Sequence, residues 1–480
     1  MHNRIRSRGR RQIPAVTRIL DAVGDCDLPR PVIVDLVRRK LSEIRAQRSV
    51  PEFEPTMVLI RRSLDELRAS KLQPIINGTG IIIHTNFGRA PLPRDAICKL
   101  NEIGSGYSNL EYDLATGGRG RRGSYVEGAI GLLCEAEAAT IVNNCAAALV
   151  LIVRHFIATD GRLRPRASVN ATAARPGALA KNEVIVSRGE LVQIGGGFRI
   201  GEIIEATGAR LREVGATNKT TIDDYARAIG PNTAMILKVH RSNFFMSGFV
   251  ESPSTEKIGA LARKKRLPFV EDLGSGAVVA TEELGISDHE PTTAEVLKNG
   301  VDLVCFSGDK LFGGPQAGII AGKTRLIAAL KREPLFRALR CDKLSLAALQ
   351  ATVDLHLNQK TAEIAALALL QTSESELHAR GAAICDELSK RCSGLHIATG
   401  RSIGKTGGGT LPKSSLPSVT IDIVPKNSSL ADFGAMLRAW NPPVIGYISV
   451  DRFKLDLRTI FPHQDGLVVE AIRAACATME

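Results

Sequence analysis

The sequence predicts an α/β protein whose large domain is built on a mainly parallel sheet, with a small helical domain before it and a smaller α+β domain after it. Three observations carry that prediction. At 480 residues the chain exceeds one ordinary domain. Between about residues 75 and 325, short β-branched runs alternate with helical patterns. Hydrophobic residues at 44% and charged residues at 24% match soluble globular proteins, which excludes a fibrous repeat and wholesale disorder.

Taken in order, residues 1–11 (MHNRIRSRGRR) read as a basic flexible arm. Residues 12–73 follow as the helical N-terminal domain. There Ile19, Leu20 and Val23, then Val32, Val34, Leu36, Val37 and Leu41, then Met57, Leu59, Leu64 and Leu67 form three amphipathic patterns separated by prolines. Residues 74–344 form the large domain, with strands expected at Ala139–Val142, Glu183–Val186, Ala209–Val214, Met235–Val239, Pro268–Val270 and Val301–Phe306. Within it, residues 160–180 are polar and rich in Pro and Ala, the composition of a surface insertion. Residues 345–480 make the C-terminal α+β domain: helical over 345–395, then a loop at Gly407-Gly408-Gly409 and a strand at Ser418–Ile423.

The net charge is +13, and residues 1–70 carry 15 Lys and Arg against 9 Asp and Glu. That balance suits an anionic partner, and equally an ordinary solvated basic surface. Aromatic residues, at 4%, are too few to favour stacking platforms for single-stranded nucleic acid. The nine cysteines show no CxxC spacing, which points to reduced thiols. No run of about 18 apolar residues occurs, and no apolar signal core follows the basic N-terminus. A cytoplasmic protein with no membrane partner, no DNA and no resident metal is expected.

The most informative segment runs from Val301 to Pro315, where a buried strand enters a polar turn that presents Lys310 ahead of Gly313-Gly314. Desolvation and nearby cations lower a lysine's pKa, so an amine placed there can form an imine with an aldehyde. Ser307 is positioned to donate to a phosphate, and the glycines let the backbone pass close to a ligand. Upstream, Glu271-Asp272 end another strand, where open α/β sheets bind ligands. A carboxylate there pairs with a pyridinium nitrogen and makes the ring an electron sink, unless it is a Mg²⁺-binding acid or a helix cap. Asp272 is preferred because it directly precedes the turn. The third piece is Ala139 to Leu149, a strand entering a helix, where the backbone amides of Asn144, Cys145 and Ala146 suit a phosphate. In this order the phosphate cup, the acid-bearing strand and the lysine strand form the signature of pyridoxal 5'-phosphate, held as a Schiff base on Lys310.

Seven motifs then carry a resemblance: Asn77-Gly78-Thr79-Gly80, His84-Thr85-Asn86-Phe87-Gly88-Arg89, Tyr107 to Asp113, Gly117-Gly118-Arg119-Gly120, Arg188-Gly189-Glu190-Leu191-Val192, Gly215 to Lys219, and Ser307-Gly308-Asp309-Lys310. From about Arg11 almost to the C-terminus the chain resembles the bacterial selenocysteine synthases, L-seryl-tRNA(Sec) selenium transferases. The resemblance implies a fold-type I, aspartate aminotransferase-like pyridoxal-phosphate transferase with the cofactor on Lys310. It also implies a ring-shaped homodecamer and an N-terminal domain that binds the selenocysteine tRNA charged with serine. β-Elimination would leave an aminoacrylyl intermediate, to which selenium adds from selenophosphate.

Arg89, Arg337 and Arg340 match family positions that recruit this polyanion, and helical spacing of three puts Arg337 and Arg340 on one face. His84 reads either as a substrate or cofactor neighbour or as a structural histidine, and Glu190 and Asn218 stand as secondary candidates. Cys341 invites a selenium-carrier role that the proposed addition does not need. Two rivals remain open: a lyase with the same core acting on a small amino acid or amino sugar, and a non-catalytic RNA-binding protein. The basic helical domain argues against the first, and retention of Lys310, Asp272 and the arginines against the second.

Overall fold

The computed structural model describes residues 14–47, 51–158 and 181–479; the expected arm at 1–11 and insertion at 160–180 lie outside the described residues. Two compact units emerge, 1–74 and 75–480. The first contains α1 (Val16–Val23), α2 (Arg30–Ala46) and α3 (Phe53–Ala69). Their apolar stripes meet in one core of Ile19, Val37, Leu41, Met57, Ile60 and Leu64.

The second unit is built on strands β1 (Ile81–Ile83), β2 (Ala138–Val142), β3 (Glu183–Ser187), β4 (Arg210–Val214), β5 (Thr233–Val239), β6 (Phe269–Gly274), β7 (Leu303–Ser307), β8 (Gly318–Gly322), β9 (Leu395–Gly407), β10 (Leu416–Pro425), β11 (Tyr447–Ser449) and β12 (Arg452–Asp456). Its seven-stranded sheet has the order β2-β8-β7-β6-β5-β3-β4. Strands β7, β6, β5, β3 and β4 run parallel, while β8 is antiparallel to both β7 and β2. Side-chain alternation splits its core between two faces. Ile185, Ile236, Phe269, Val304 and Phe306 pack on one face, and Val184, Leu237, Val270, Leu303 and Cys305 on the other.

The helices that matter for the site are α4 (Arg94–Gly104), α5 (Ser124–Leu133), α6 (Cys145–Ala158), α7 (Pro334–Leu339), α8 (Lys343–Leu357) and α9 (Glu374–Ser389). Helix α6 is apolar nearly all round, and Ala148, Leu149, Leu151, Ile152 and Val153 are buried beneath the sheet. Helix α8 runs through the 344/345 position at which the sequence places a domain boundary, and residues 345–480 share the second compact unit. A five-stranded sheet of order β11-β12-β10-β9-β1 packs with α9 around Leu377, Ile384, Ile421, Ile423 and Leu455. Five of these strands escape the sequence reading: the short β1, β11 and β12, β8, whose run Gly-Ile-Ile-Ala-Gly is short and glycine-bounded, and β9, which extends into the expected Gly-rich loop.

Candidate active site

Lys310 follows β7, whose five residues are all buried, and it is itself only 5% exposed. The chain turns sharply here: Gly308 N–H donates to Ala317 carbonyl at 2.9 Å and Gly314 N–H to Gly308 carbonyl at 2.8 Å. Leu311 N–H donates to Ser275 carbonyl at 3.0 Å, locking the lysine loop against the turn after β6. Burial is the largest influence on the Lys310 amine and lowers its pKa; the Arg89 cation acts in the same direction, and Cys145, Asp272 and Asp309 oppose it.

Asp272 lies inside β6 rather than directly before a turn, because the strand continues through Gly274. Strand alternation separates it from its neighbour. Glu271 points to the opposite face, where Lys238 Nζ reaches it at 2.5 Å and Thr255 Oγ1 donates to it at 3.1 Å. Asp272 shares the α6 side with Cys305, its partner in the β6/β7 register. A β-carbon built on Gly274 would stand 3.7 Å from Ser242 Oγ and 3.8 Å from both Asp272 Oδ1 and Lys310 Nζ. That glycine, at φ +63°, therefore leaves open the space between three polar groups. Asp272 keeps some contact with solvent, yet its surroundings are dense enough that burial pushes its carboxyl up, against Lys310 and a thiol hydrogen bond from Cys145.

The β2–α6 turn reaches the same end of the sheet. Asn144 Oδ1 accepts the Ala147 N–H at 2.8 Å, so the side chain of Asn144 caps the helix. Cys145 and Ala146 begin the first turn, whose N–H groups have no intrahelical acceptors. Gly318 sits in register between Ser307 and Val142, bringing Ser307 and the Asn144 turn to either side of one strand.

Arg89 takes φ +67° and ion-pairs through Nη1 with Asp309 Oδ2 at 2.7 Å, while Ala90 N–H donates to the Asp309 carbonyl. Asp309 Oδ1 is buried without a hydrogen-bond partner. His84 stacks on Phe87 with ring centroids 3.8 Å apart, and burial lowers its pKa.

The expectation that Arg337 and Arg340 share a helix face is corrected. Helix α7 is one short element ending at Leu339, and Arg340 follows it with extended backbone, φ −67° and ψ 143°. Arg340 Nη1 lies 3.3 Å from Glu111, which also holds Arg122 at 2.9 Å and Arg119 at 3.1 Å, and Arg337 is exposed. Among the described residues no ion pair joins either arginine to Asp272 or Asp309. The link to the site is through backbone: Asn143 N–H donates to Leu339 carbonyl at 2.8 Å.

A cavity of about 770 Å³ that does not touch Lys310 is lined by Glu190, Lys238, His240, Arg241 and Glu290. His240 borders both regions, since its N–H donates to the Asp272 carbonyl and its Nε2 lies 3.1 Å from Glu290 Oε1. Burial pushes the Glu190 carboxyl up to about 7. Asn218 is spent on the Phe249 carbonyl at 2.6 Å. Sequence reasoning missed Asp309 as a neighbour of Lys310, and Ser242, Cys305 and His240 as neighbours of Asp272. Only Asp309, polar and adjacent to Lys310, offered a signal.

The family model described as L-seryl-tRNA selenium transferase matches residues 75–164 and 170–461. Proteins named L-seryl-tRNA(Sec) selenium transferase from Hyphomonas neptunium and Geotalea uraniireducens are 41% and 42% identical, each over 96% of this chain and 98% of its own. Among solved structures, D-glucosaminate-6-phosphate ammonia-lyase superposes with TM-score 0.57 at 20% identity, covering 85% of this chain and 97% of that one, which speaks for a shared fold alone. The fold is that of the fold-type I pyridoxal-phosphate enzymes. Matched over most of its length by the family model, and over nearly all of it by these relatives, the chain belongs to the L-seryl-tRNA selenium transferase family.

Proposed function

We propose that this chain converts L-seryl-tRNA(Sec) to L-selenocysteinyl-tRNA(Sec), taking selenium from selenophosphate and holding pyridoxal 5'-phosphate on Lys310. The observation that carries the reading is a buried lysine, its pKa lowered, grouped with Asp272, Ser242 and the start of α6 at the carboxyl ends of the strands in a chain of this family. The residues suit the cofactor. Lys310 supplies the amine, Asp272 the partner for the ring nitrogen, and Ser307 with the Asn144-Cys145-Ala146 turn the phosphate donors; Gly274 leaves room between them.

When bound, the cofactor supplies an electron sink for the pair left on the substrate's α-carbon. Lys310 Nζ would remove the α-proton of the substrate, and burial, which lowers its pKa, favours the free amine that a base requires. Asp272 holds a proton on the ring nitrogen. Arg89, Arg337 and Arg340 bind selenophosphate, with Asp309 steering the Arg89 guanidinium. His84, pushed towards the neutral form, lines the approach beside Arg89, with which it forms a backbone bridge.

The N-terminal unit serves as the tRNA-binding module. Much of its charge is paired internally, as in Arg39–Asp35, Arg62–Glu66 and Arg68–Asp27. Arg38 and Arg45, seven residues apart on α2, are exposed and form no ion pair among the described residues. Large exposed side chains in the second unit, among them Tyr107, Leu132 and Phe249, support assembly of copies of the chain, with a cytoplasmic homodecamer as the proposed form. No described helix is long and apolar enough to cross a membrane.

Incubation with seryl-tRNA(Sec) and selenophosphate should leave selenocysteine on the RNA, and borohydride reduction should label Lys310. Serine recovered unchanged would refute the activity, and a label on another lysine would refute the anchor.

A further inference from the structure

We propose that Cys145 is a positioning residue: its thiol donates to Asp272 Oδ1 and holds that carboxylate in place for the cofactor's ring nitrogen, with Cys305 packed beside both. This rests on the reading of Asp272 given above. Cys145 Sγ lies 3.5 Å from Asp272 Oδ1. Cys305 faces Asp272 in the strand register, and the two sulfurs and the carboxylate oxygen all lie within 4.8 Å of one another. Both thiols therefore sit on a carboxylate that the sequence reading treats as standing alone.

The other groups facing Asp272 are few: Lys310 from the β7 loop, His240 from the end of β5, Ser242 just beyond it, and the Gly274 N–H. Lys310 is in turn faced by Arg89 and Asp309, and His240 by Glu290. Once Lys310 is bonded to the cofactor it is no longer a free ammonium beside Asp272, which leaves the thiol as a neutral donor on that oxygen. A thiol donates weakly, so it orients the carboxylate without competing with a ring N–H for its charge. The neighbouring Cys145 thiol and then burial push Cys305 well up, keeping it protonated and unable to add a second negative charge.

The test is a pH titration of the visible absorption of the intact, cofactor-loaded protein and of its Cys145→Ala and Cys145→Ser variants. Without the thiol the Asp272 carboxylate is no longer held towards the ring nitrogen, and because the thiol donates weakly this lost alignment outweighs the small gain in carboxylate basicity, so the nitrogen holds its proton less firmly and the imine becomes more basic. The expected result is a midpoint raised by about half a pH unit in Cys145→Ala, less than one full hydrogen bond to a charged group because the thiol is a weak donor and acts through Asp272. Cys145→Ser, which keeps a donor, should stay close to the wild type. Equal midpoints in all three proteins, or equal shifts in both variants, would overturn the inference while leaving the cofactor assignment intact. A wild-type protein without visible absorption would overturn the cofactor assignment, and the inference with it.

Discussion

At the scale of single residues, the second unit holds carboxylates in unlike states for reasons of place. Glu271 and Asp272 are adjacent, yet one is neutralised by Lys238 on one face of the sheet and the other stands among thiols and Lys310 on the opposite face. Glu190 has a hydrogen bond from Val239 N–H at 3.1 Å, but burial still raises it from 4.5 to about 7. A carboxyl with a raised folded pKa contributes stability that is fully present below about pH 4.5 and is lost as pH rises through about 7. The cost by pH 8 is on the order of 3 kcal/mol. Glu190→Gln keeps an acceptor for Val239 without the charge, so its melting temperature relative to wild type should rise between pH 5 and pH 8. A constant difference across that range would show that Glu190 is not the group responsible.

At the scale of elements, the site depends on how closely β8 lets the start of α6 approach. A β-carbon on Gly318 would fall 2.1 Å from the Asn144 carbonyl oxygen and 2.9 Å from the Cys145 nitrogen, both backbone atoms that cannot swing aside. Gly318→Ala should therefore push the α6 N-terminus away from Ser307 and weaken pyridoxal-phosphate binding by at least about tenfold, about 1.4 kcal/mol. Fluorescence titration with the cofactor reads the loss, and far-UV circular dichroism tests whether the fold survives it. Unchanged affinity would mean that this helix start does not hold the phosphate. The same scale explains the arginines: spacing of three puts residues on one face only while a helix lasts, and α7 ends at Leu339.

At the scale of the whole molecule, the N-terminal unit has a core of its own and spends many of its cations on neighbouring acids. The count of its cations therefore overstates its capacity for RNA. Replacing both Arg38 and Arg45 by Glu should weaken seryl-tRNA binding and lower the log–log salt slope by about 1 to 2, while the cofactor spectrum stays as in wild type. An unaltered affinity at several salt concentrations would move the RNA contact elsewhere.

The sequence by itself determined the alternation of strands and helices, the order of phosphate turn, acid strand and lysine strand, and the family. Those properties are local: β-branched runs, glycine turns and a lysine ahead of Gly-Gly-Pro are written within a few residues of one another. What only the tertiary structure decided was company. The meeting of Cys145, Cys305 and Ser242 around Asp272, the pairing of Arg89 with Asp309, and the engagement of Arg340 by Glu111 join residues 127, 220 and 229 positions apart in the cases of Cys145–Asp272, Arg89–Asp309 and Arg340–Glu111. Such contacts follow from strand order and register, which put the carboxyl ends of β2, β5, β6 and β7 at one edge, and no local pattern records them.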